Sequence, residues 1–147
     1  MTDMQYPSLL RRFGAMLYDT LLVAAVSIAY GAIFLWAKVA VFGYTLAEGE
    51  KANLGWIGFL GWIILLALYF SFFWTRSGQT LGMKTWRIAV NSDTGVRLSF
   101  ANALLRWCLA VLSWLFLGFG YWWALIDKDN QTLHDLLSKS RTQLIPK

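Results

Sequence analysis

The sequence predicts an all-α membrane protein, and three features carry that prediction. Residues 13–36 and 54–74 are long apolar runs, and an apolar run of roughly 20 residues crosses the hydrocarbon of a bilayer as a helix. Residues 100–126 are also apolar, but glycines at 118 and 120 interrupt them. We therefore predict, in one domain of residues 1–147, a small bundle of two clear transmembrane helices plus a third bent apolar segment, with a short extramembrane β-hairpin.

The composition excludes a soluble domain and argues against a nucleic-acid partner. The 147 residues are 58% hydrophobic and 14% charged, whereas soluble domains carry about 25% charged residues. The net charge of +5 would suit nucleic acid, but the basic residues flank apolar segments and are not interleaved with aromatic residues on a polar face. They are better explained as signals that orient the chain and attract anionic lipid head groups.

Residues that carry catalysis or bind metals are scarce. The chain has one histidine, His134, and one cysteine, Cys108, which together are too few for a usual four-ligand zinc site. Neither has an acid or nucleophile at a spacing that indicates a catalytic set. We therefore expect no enzyme activity, metal or cofactor, and His134 is more simply a polar turn residue than a proton shuttle.

The first predicted helix covers about residues 8–36, with Ser8 as its N-cap. Asp19 is the single carboxylate in this run and lies two helical turns, about 10 Å, beyond Arg12. Because a mid-membrane aspartate costs roughly 2.5–3.5 kcal/mol, we expect Asp19 to face a partner or water. A cleaved signal peptide is the alternative, but its apolar core is about 7–15 residues long, shorter than this one.

The second predicted helix covers about residues 54–74 and follows a polar loop at 37–53. Gly55, Gly58 and Gly61 recur at steps of three, which predicts a face that another helix approaches closely. Aromatic residues at 69–74 predict that the end of this helix lies near one membrane surface.

A turn that contains glycine, threonine and lysine follows at residues 75–85, and its spacing excludes a nucleotide-binding loop. Such a loop has four residues between its glycines and a lysine directly after the second, whereas three residues separate Gly78 from Gly82 and Met83 precedes Lys84. Residues 85–100 are β-rich on both sides of a glycine-containing loop, which predicts an extramembrane hairpin.

Residues 100–126 include Arg106 near their start and leave two topologies open. As a straight span, residues 107–126 are long enough to cross the membrane; as a helical hairpin bent at 118–120, the segment dips in and returns. Of the 13 Lys and Arg residues, a straight span places seven on one side and six on the other, whereas a return places eleven and two. The positive-inside rule favours the return, with a cytoplasmic N-terminus and tail.

A short internal repeat points the same way. The triplet Gln-Thr-Leu occurs at 79–81 and at 131–133, each time beginning ten residues after a tyrosine, Tyr69 or Tyr121. Because similar sequences precede the two triplets, we expect the chain to leave the membrane at the same face in both places. Tail residues 142–145 are then predicted to add a third strand to the hairpin.

Several of these motifs together resemble the RDD family of small membrane proteins. They are Arg12-Phe-Gly-Ala15-Met-Leu-Tyr-Asp19, residues 78–84 before a strand, Arg106, and Gln-Thr-Leu-His-Asp at 131–135. The family is named for one arginine and two aspartates, which match Arg12, Asp19 and Asp135, and the resemblance extends over residues 6–145. The tail departs from the family pattern at 140–144, where the family has a glycine before a Thr-Val-Val strand.

The resemblance implies little about activity: transport has been suggested for the family, and sodium/proton exchange has been attributed to a member. Two classes of function therefore stay open. The first is a transporter or cation/proton exchanger, a homo-oligomer because so few helices hardly enclose a path. The second is a non-transporting membrane scaffold or assembly partner in which the charges are structural and the glycines of the second helix form a binding face.

Asp19 likewise has two interpretations: a structural ion pair with Arg12 or Arg106, or a relay that exchanges protons or monovalent cations with water. We place the protein in the cytoplasmic (inner) membrane with its N-terminus cytoplasmic. The predicted site residues are the charged set Arg12, Asp19, Arg106 and Asp135, the turn residues Gly78, Gln79, Thr80, Gly82, Gln131, Thr132 and His134, and the packing glycines Gly55, Gly58 and Gly61.

Overall fold

The structure, a computed structural model, describes residues 6–45, 53–128 and 130–145. Two helices, Leu9–Phe42 and Gly55–Arg76, have the length and apolar composition of membrane spans, and the class of a helical membrane protein with a small antiparallel sheet is confirmed. The elements in chain order are α1 (Leu9–Phe42), α2 (Gly55–Arg76), α3 (Leu81–Thr85), β1 (Ile88–Ser92), α4 (Phe100–Leu115), α5 (Phe119–Trp122), a 3-10 turn (Trp123–Leu125), α6 (Leu133–Leu137) and β2 (Ser140–Leu144).

Residue contacts divide the chain into two compact units. One unit is Thr20–Leu66, which holds most of α1 and the first half of α2. The other combines the described residues up to Asp19 with those from Ala67 onward, and it contains both strands and the shorter helices.

The first helix is longer than predicted. It begins after Ser8, whose carbonyl accepts the first helical hydrogen bonds from the amides of Arg11 and Arg12 at 3.1 and 3.2 Å. It continues past the predicted end at residue 36, because residues 37–42 contain no glycine or proline and include the good helix formers Ala37, Lys38 and Ala40. It ends before Gly43, which has a φ of 61°. Residues 46–52 of the predicted polar loop lie outside the described residues.

Within the unit Thr20–Leu66, Gly58 and Gly61 of α2 face aromatic side chains of α1. A Cβ atom at Gly58 would lie 2.8 Å from Phe34 Cε1, and one at Gly61 would meet the hydroxyl of Tyr30. The Tyr30 hydroxyl donates a hydrogen bond to the Gly58 carbonyl (2.9 Å). Gly55 differs from the packing role predicted for it, because it begins α2 with a φ of 65° and a Cβ there would meet no part of α1.

Replacing Gly58 or Gly61 with leucine is expected to destabilise the contact between these helix segments by about 1–3 kcal/mol, as overpacking does in other cores. Thermal unfolding in detergent measures the effect. Gly31→Leu is the matched control, because a Cβ atom at Gly31 meets no atom within 4 Å. Equal stability of the Gly58, Gly61 and Gly31 variants would contradict the close approach.

The small sheet pairs β1 with β2 in antiparallel register, with Ile88 opposite Leu144 and Ser92 opposite Ser140. The hairpin predicted at residues 85–100 is therefore wrong, although its turn forms, with the Ser92 amide bonded to the Val96 carbonyl at 2.7 Å. The edge of β1 that a hairpin partner would use is already occupied. The Val90 amide donates to the Gly78 carbonyl (2.7 Å), and Gln79 Nε2 donates to the Ile88 carbonyl (2.7 Å). The tail supplies the second strand, and not a third one.

The internal repeat corresponds to a repeated structural unit. In each copy, the threonine of Gln-Thr-Leu is the N-cap of a five-residue helix, α3 or α6. Each helix is followed by a basic residue with positive φ, Arg87 at 54° or Lys139 at 50°, directly before a strand. Because the equivalent residues Val90 and Thr142 are paired with each other, the two units are related by a local two-fold axis through this pair.

The third apolar segment is bent and not straight. α4 ends at Leu115, and the chain turns by 105° before α5 and the 3-10 turn. Leu117 and Gly118 both have positive φ values, 54° and 75°, and the Gly118 amide bonds back to the Ser113 carbonyl at 2.7 Å. The straight span of residues 107–126 is therefore not formed.

Candidate functional site: a buried charge cluster and a separate carboxylate

Asp135 is the centre of a buried charge cluster in the unit that contains the sheet. It lies in the first turn of α6, where one of its oxygens accepts a hydrogen bond from the amide of the N-cap Thr132 (3.2 Å). Its side chain is fully buried and accepts from Arg12 Nη1 at 2.7 Å, from Arg106 Nη1, and from Thr142 Oγ1 at 3.1 Å. One carboxylate thus joins the start of α1, α4 and the tail.

The two arginines reach this carboxylate from helices far apart in sequence. Arg12, in the first turn of α1, also donates from Nη2 to the Asn130 carbonyl (2.7 Å). Arg106 has its guanidinium carbon Cζ 5.2 Å from the centre of the Trp74 ring, and its Nη1 also donates to Ser140 Oγ at 2.5 Å. Both side chains are about 5% exposed, so their charges are held away from water.

The electrostatics of the cluster favour a permanently ionised Asp135. Burial alone would raise the pKa of this carboxyl, but the guanidiniums of Arg106 and Arg12 outweigh burial and hold the pKa well below its usual range. Two positive charges share one negative charge, so these three side chains together carry one net positive charge. The arrangement is a clamp of three charged side chains that are paired inside the protein.

His134 adjoins the clamp as a neutral residue. Burial, together with the nearby positive charge of Arg106, lowers the pKa of its imidazole to about 3. Its Nε2 atom lies 3.0 Å from Thr132 Oγ1, and its ring contacts the Tyr121 ring with a centroid distance of 4.7 Å. A histidine that stays neutral near pH 7 acts here as a packing and hydrogen-bonding residue.

Asp19 lies apart from the clamp and is held by the first triplet turn. Its two oxygens accept hydrogen bonds from the hydroxyl of Thr80 and from the amide of Gly82 (2.9 Å). Gly82 is required at this position because α1 comes so close that a Cβ would lie 2.8 Å from Asp19 Cγ. Asp19 is 7% exposed, and no arginine, lysine or histidine forms an ion pair with it in the described ranges.

The structure therefore brings together Arg12, Arg106 and Asp135 and leaves Asp19 outside this group. The ion pair proposed between Asp19 and either arginine is not formed, because both guanidiniums bind Asp135. The turn residues bind one carboxylate each: Thr80 and Gly82 donate hydrogen bonds to Asp19, and Thr132 donates one to Asp135.

The remaining turn residues support the backbone around these two sites. Gly78 has a φ of 70°, and its carbonyl accepts from β1. The side chain of Gln79 donates a hydrogen bond to the backbone of β1. The backbone N–H of buried Gln131 donates to Asp127 Oδ2 at 2.9 Å.

Sequence reasoning missed the hydroxyl groups that complete the clamp. Ser140 and Thr142 lie on the buried face of β2 and bind Arg106, and the carbonyl of Asn130 binds Arg12. The available signal is the spacing of Ser138, Ser140 and Thr142, which alternate along the strand-like tail. Small polar residues at every second position indicate a strand face that packs against polar groups.

Fold and site together define a small helical membrane protein with a buried arginine–aspartate clamp and a separate carboxylate inside its first span. The model of the RDD family matches residues 6–139, so the chain belongs to the RDD family. Comparisons with curated proteins and with solved structures found no match.

Proposed function

We propose that this RDD-family protein moves monovalent cations or protons across the membrane, with Asp19 as the carboxylate that takes up the ion. The observation that carries the proposal is the environment of Asp19. It is almost fully buried, two hydrogen-bond donors orient it, and no cationic side chain pairs with it among the described residues.

The cost of burying the Asp19 carboxylate depends on what compensates its negative charge. A carboxylate inside a membrane segment is costly unless it is paired or neutralised. The two arginines that could supply a fixed countercharge are both bound to Asp135. A proton or a cation from solution is then the natural partner of Asp19, and exchange of that partner is the elementary step of transport.

The orientation and assembly of the transporter are part of the proposal. The face that carries the start of α1, the sheet and the tail is cytoplasmic, since a return of residues 100–126 puts eleven of the 13 basic residues there. Of these basic residues, those outside the buried clamp attract anionic lipid head groups of the inner membrane. Because two long helices enclose no path by themselves, a homo-oligomer forms the conducting unit.

Ion flux in proteoliposomes tests the proposal. With a pH-sensitive dye inside the vesicles, an imposed Na⁺ or K⁺ gradient is expected to drive a pH change in the parent protein. Asp19→Asn keeps the shape of the side chain and removes the charge, so we expect flux to disappear while the protein still folds and inserts.

The control is Asp93→Asn, because Asp93 forms an exposed ion pair with Arg141 on the sheet. It should leave flux unchanged. Absence of flux from the parent protein under every gradient would overturn the transport proposal and favour the membrane scaffold. Flux that persists in Asp19→Asn would place the ion path away from this carboxylate.

A further inference from the structure

The bent segment α4–α5, whose return sets the orientation in the transport proposal, presents an apolar surface that takes no part in ion binding. From Trp107 to Ile126 the sequence carries no charged residue. α4 buries Ala103, Arg106 and Ser113 on one side, while the side chains around the bend are exposed. The most exposed of these are Leu117 at 87%, Ile126 at 79% and Phe119 at 73%. Apolar exposure on this scale is found on surfaces that contact lipid or another protein.

The two ends of the segment are held next to each other. β1 precedes α4, β2 follows α6, and the two strands are hydrogen-bonded to each other. Arg106, near the start of the segment, is clamped to Asp135, which follows its end. A segment that crossed about 30 Å of hydrocarbon would carry its two ends to opposite sides and separate the strands.

The length of the outgoing helix limits how far the bend reaches. From Arg106 to the end of α4 at Leu115 there are nine helical steps, a distance of about 14 Å. Tilting of α4 would shorten this depth. With the charged Arg106 at the edge of the hydrocarbon, the bend extends about halfway across a layer of roughly 30 Å.

The bend is also built so that it can lie in hydrocarbon. Backbone groups in lipid need internal partners, because no water is present to replace them. Here the Phe116 amide bonds to the Leu112 carbonyl (3.1 Å), Gly118 to Ser113 (2.7 Å), and Tyr121 to the Gly118 carbonyl (2.8 Å). The return leg packs closely on α4, since a Cβ atom at Gly120 would lie 2.8 Å from Ser113 Cβ.

We propose that α4–α5 is a re-entrant element that inserts into a single leaflet, the one on the side of the β sheet, with the bend at residues 116–119 in contact with its acyl chains. The partner of this surface is the hydrocarbon of that leaflet. The clamp at Asp135 and the β1–β2 pairing hold the two ends of this element together at the membrane surface.

Cysteine labelling in oriented membrane vesicles tests the insertion. In a Cys108→Ser background, single cysteines are placed at Leu117 and at Phe116, both on the bend, with Asp93→Cys and Tyr44→Cys as references for the two membrane sides. An impermeant maleimide should label the two reference positions from opposite sides. It should label the bend positions from neither side, but label them after solubilisation in detergent.

Spin labels at the same bend positions report what covers them. We expect high accessibility to oxygen and low accessibility to a water-soluble nickel complex, the pattern of lipid contact. Labelling of the bend from the side of Tyr44 would show a crossing segment, and labelling from the side of Asp93 would show a segment on the surface. Protection from oxygen would show a position buried in protein. Each of these three results would overturn the proposal.

Discussion

Asp135→Asn is expected to destabilise the protein by about 3–5 kcal/mol, the usual cost of removing one partner from a buried ion pair. The change is nearly isosteric, so packing is preserved, but the guanidiniums of Arg12 and Arg106 lose the charge they share. The amide oxygen still accepts hydrogen bonds, but the NH2 group that replaces the other oxygen faces N–H donors, which adds to the electrostatic loss. Thermal unfolding in detergent measures the difference.

Variants of the arginines provide an internal comparison. Arg12→Gln or Arg106→Gln leaves one arginine with one aspartate, which balances the charges, so each should cost less than Asp135→Asn. Adding Arg106→Gln to Asp135→Asn removes one unpaired charge and should recover part of the loss.

Asp93→Asn is the exposed control for the same chemistry. It removes one partner of the Arg141–Asp93 pair, whose side chains are 30% and 46% exposed, and exposed pairs contribute about 0–1 kcal/mol. If Asp135→Asn and Asp93→Asn shifted the melting temperature equally, Asp135 would not be the centre of the clamp.

Acidification from pH 6.5 toward pH 4.5 is expected to destabilise the protein through His134. The unfolded chain binds a proton near pH 6.5, whereas the folded imidazole stays neutral until its pKa of about 3. Between these values the unfolded state holds more protons, so stability falls as pH falls, by at most about 1.4 kcal/mol per pH unit. Over these two pH units the loss amounts to about 2 kcal/mol, because the full slope is reached only below pH 6.5.

His134→Gln isolates this contribution, because glutamine does not titrate. Between pH 7 and 4.5, the melting temperature of the parent protein should fall more steeply with decreasing pH than that of the glutamine variant. The depressed pKa of Asp135 acts in a lower window: its stabilisation is present above pH about 3.9 and is lost as pH falls further, so it adds little slope here. Parallel curves for the two proteins would contradict a buried neutral histidine.

The membrane class, the two capped short helices and the bend could be predicted from the sequence because they depend on short-range chemistry. Apolar runs of sufficient length at α1 and α2 fix two candidate spans whatever surrounds them. The repeated Gln-Thr-Leu triplet encodes an N-cap followed by a short helix, and the same local preferences act in both copies. The glycine at position 118 likewise marks the bend, since its φ of 75° suits a residue without a side chain.

The partners of the strands and of the charged residues were decided by the tertiary structure. The pattern of residues 85–100 is that of a hairpin, but the turn at Gly78 and Gln79 occupies one edge of β1, and the tail takes the other. A two-residue period reveals a strand and does not specify which strand pairs with it.

Which carboxylate the two arginines bind was decided by the fold for a related reason. Arg12, Ala15 and Asp19 share one buried face of α1, and helix periodicity places them there. Yet Asp135 lies 123 residues from Arg12, and Thr80 lies 61 residues from Asp19. Sequence spacing constrains only neighbours within one helix. Which carboxylate the arginines bind depends on which loops fold back onto that face of α1. In this fold the arginines bind Asp135, and Asp19 binds the turn at Thr80 and Gly82 instead.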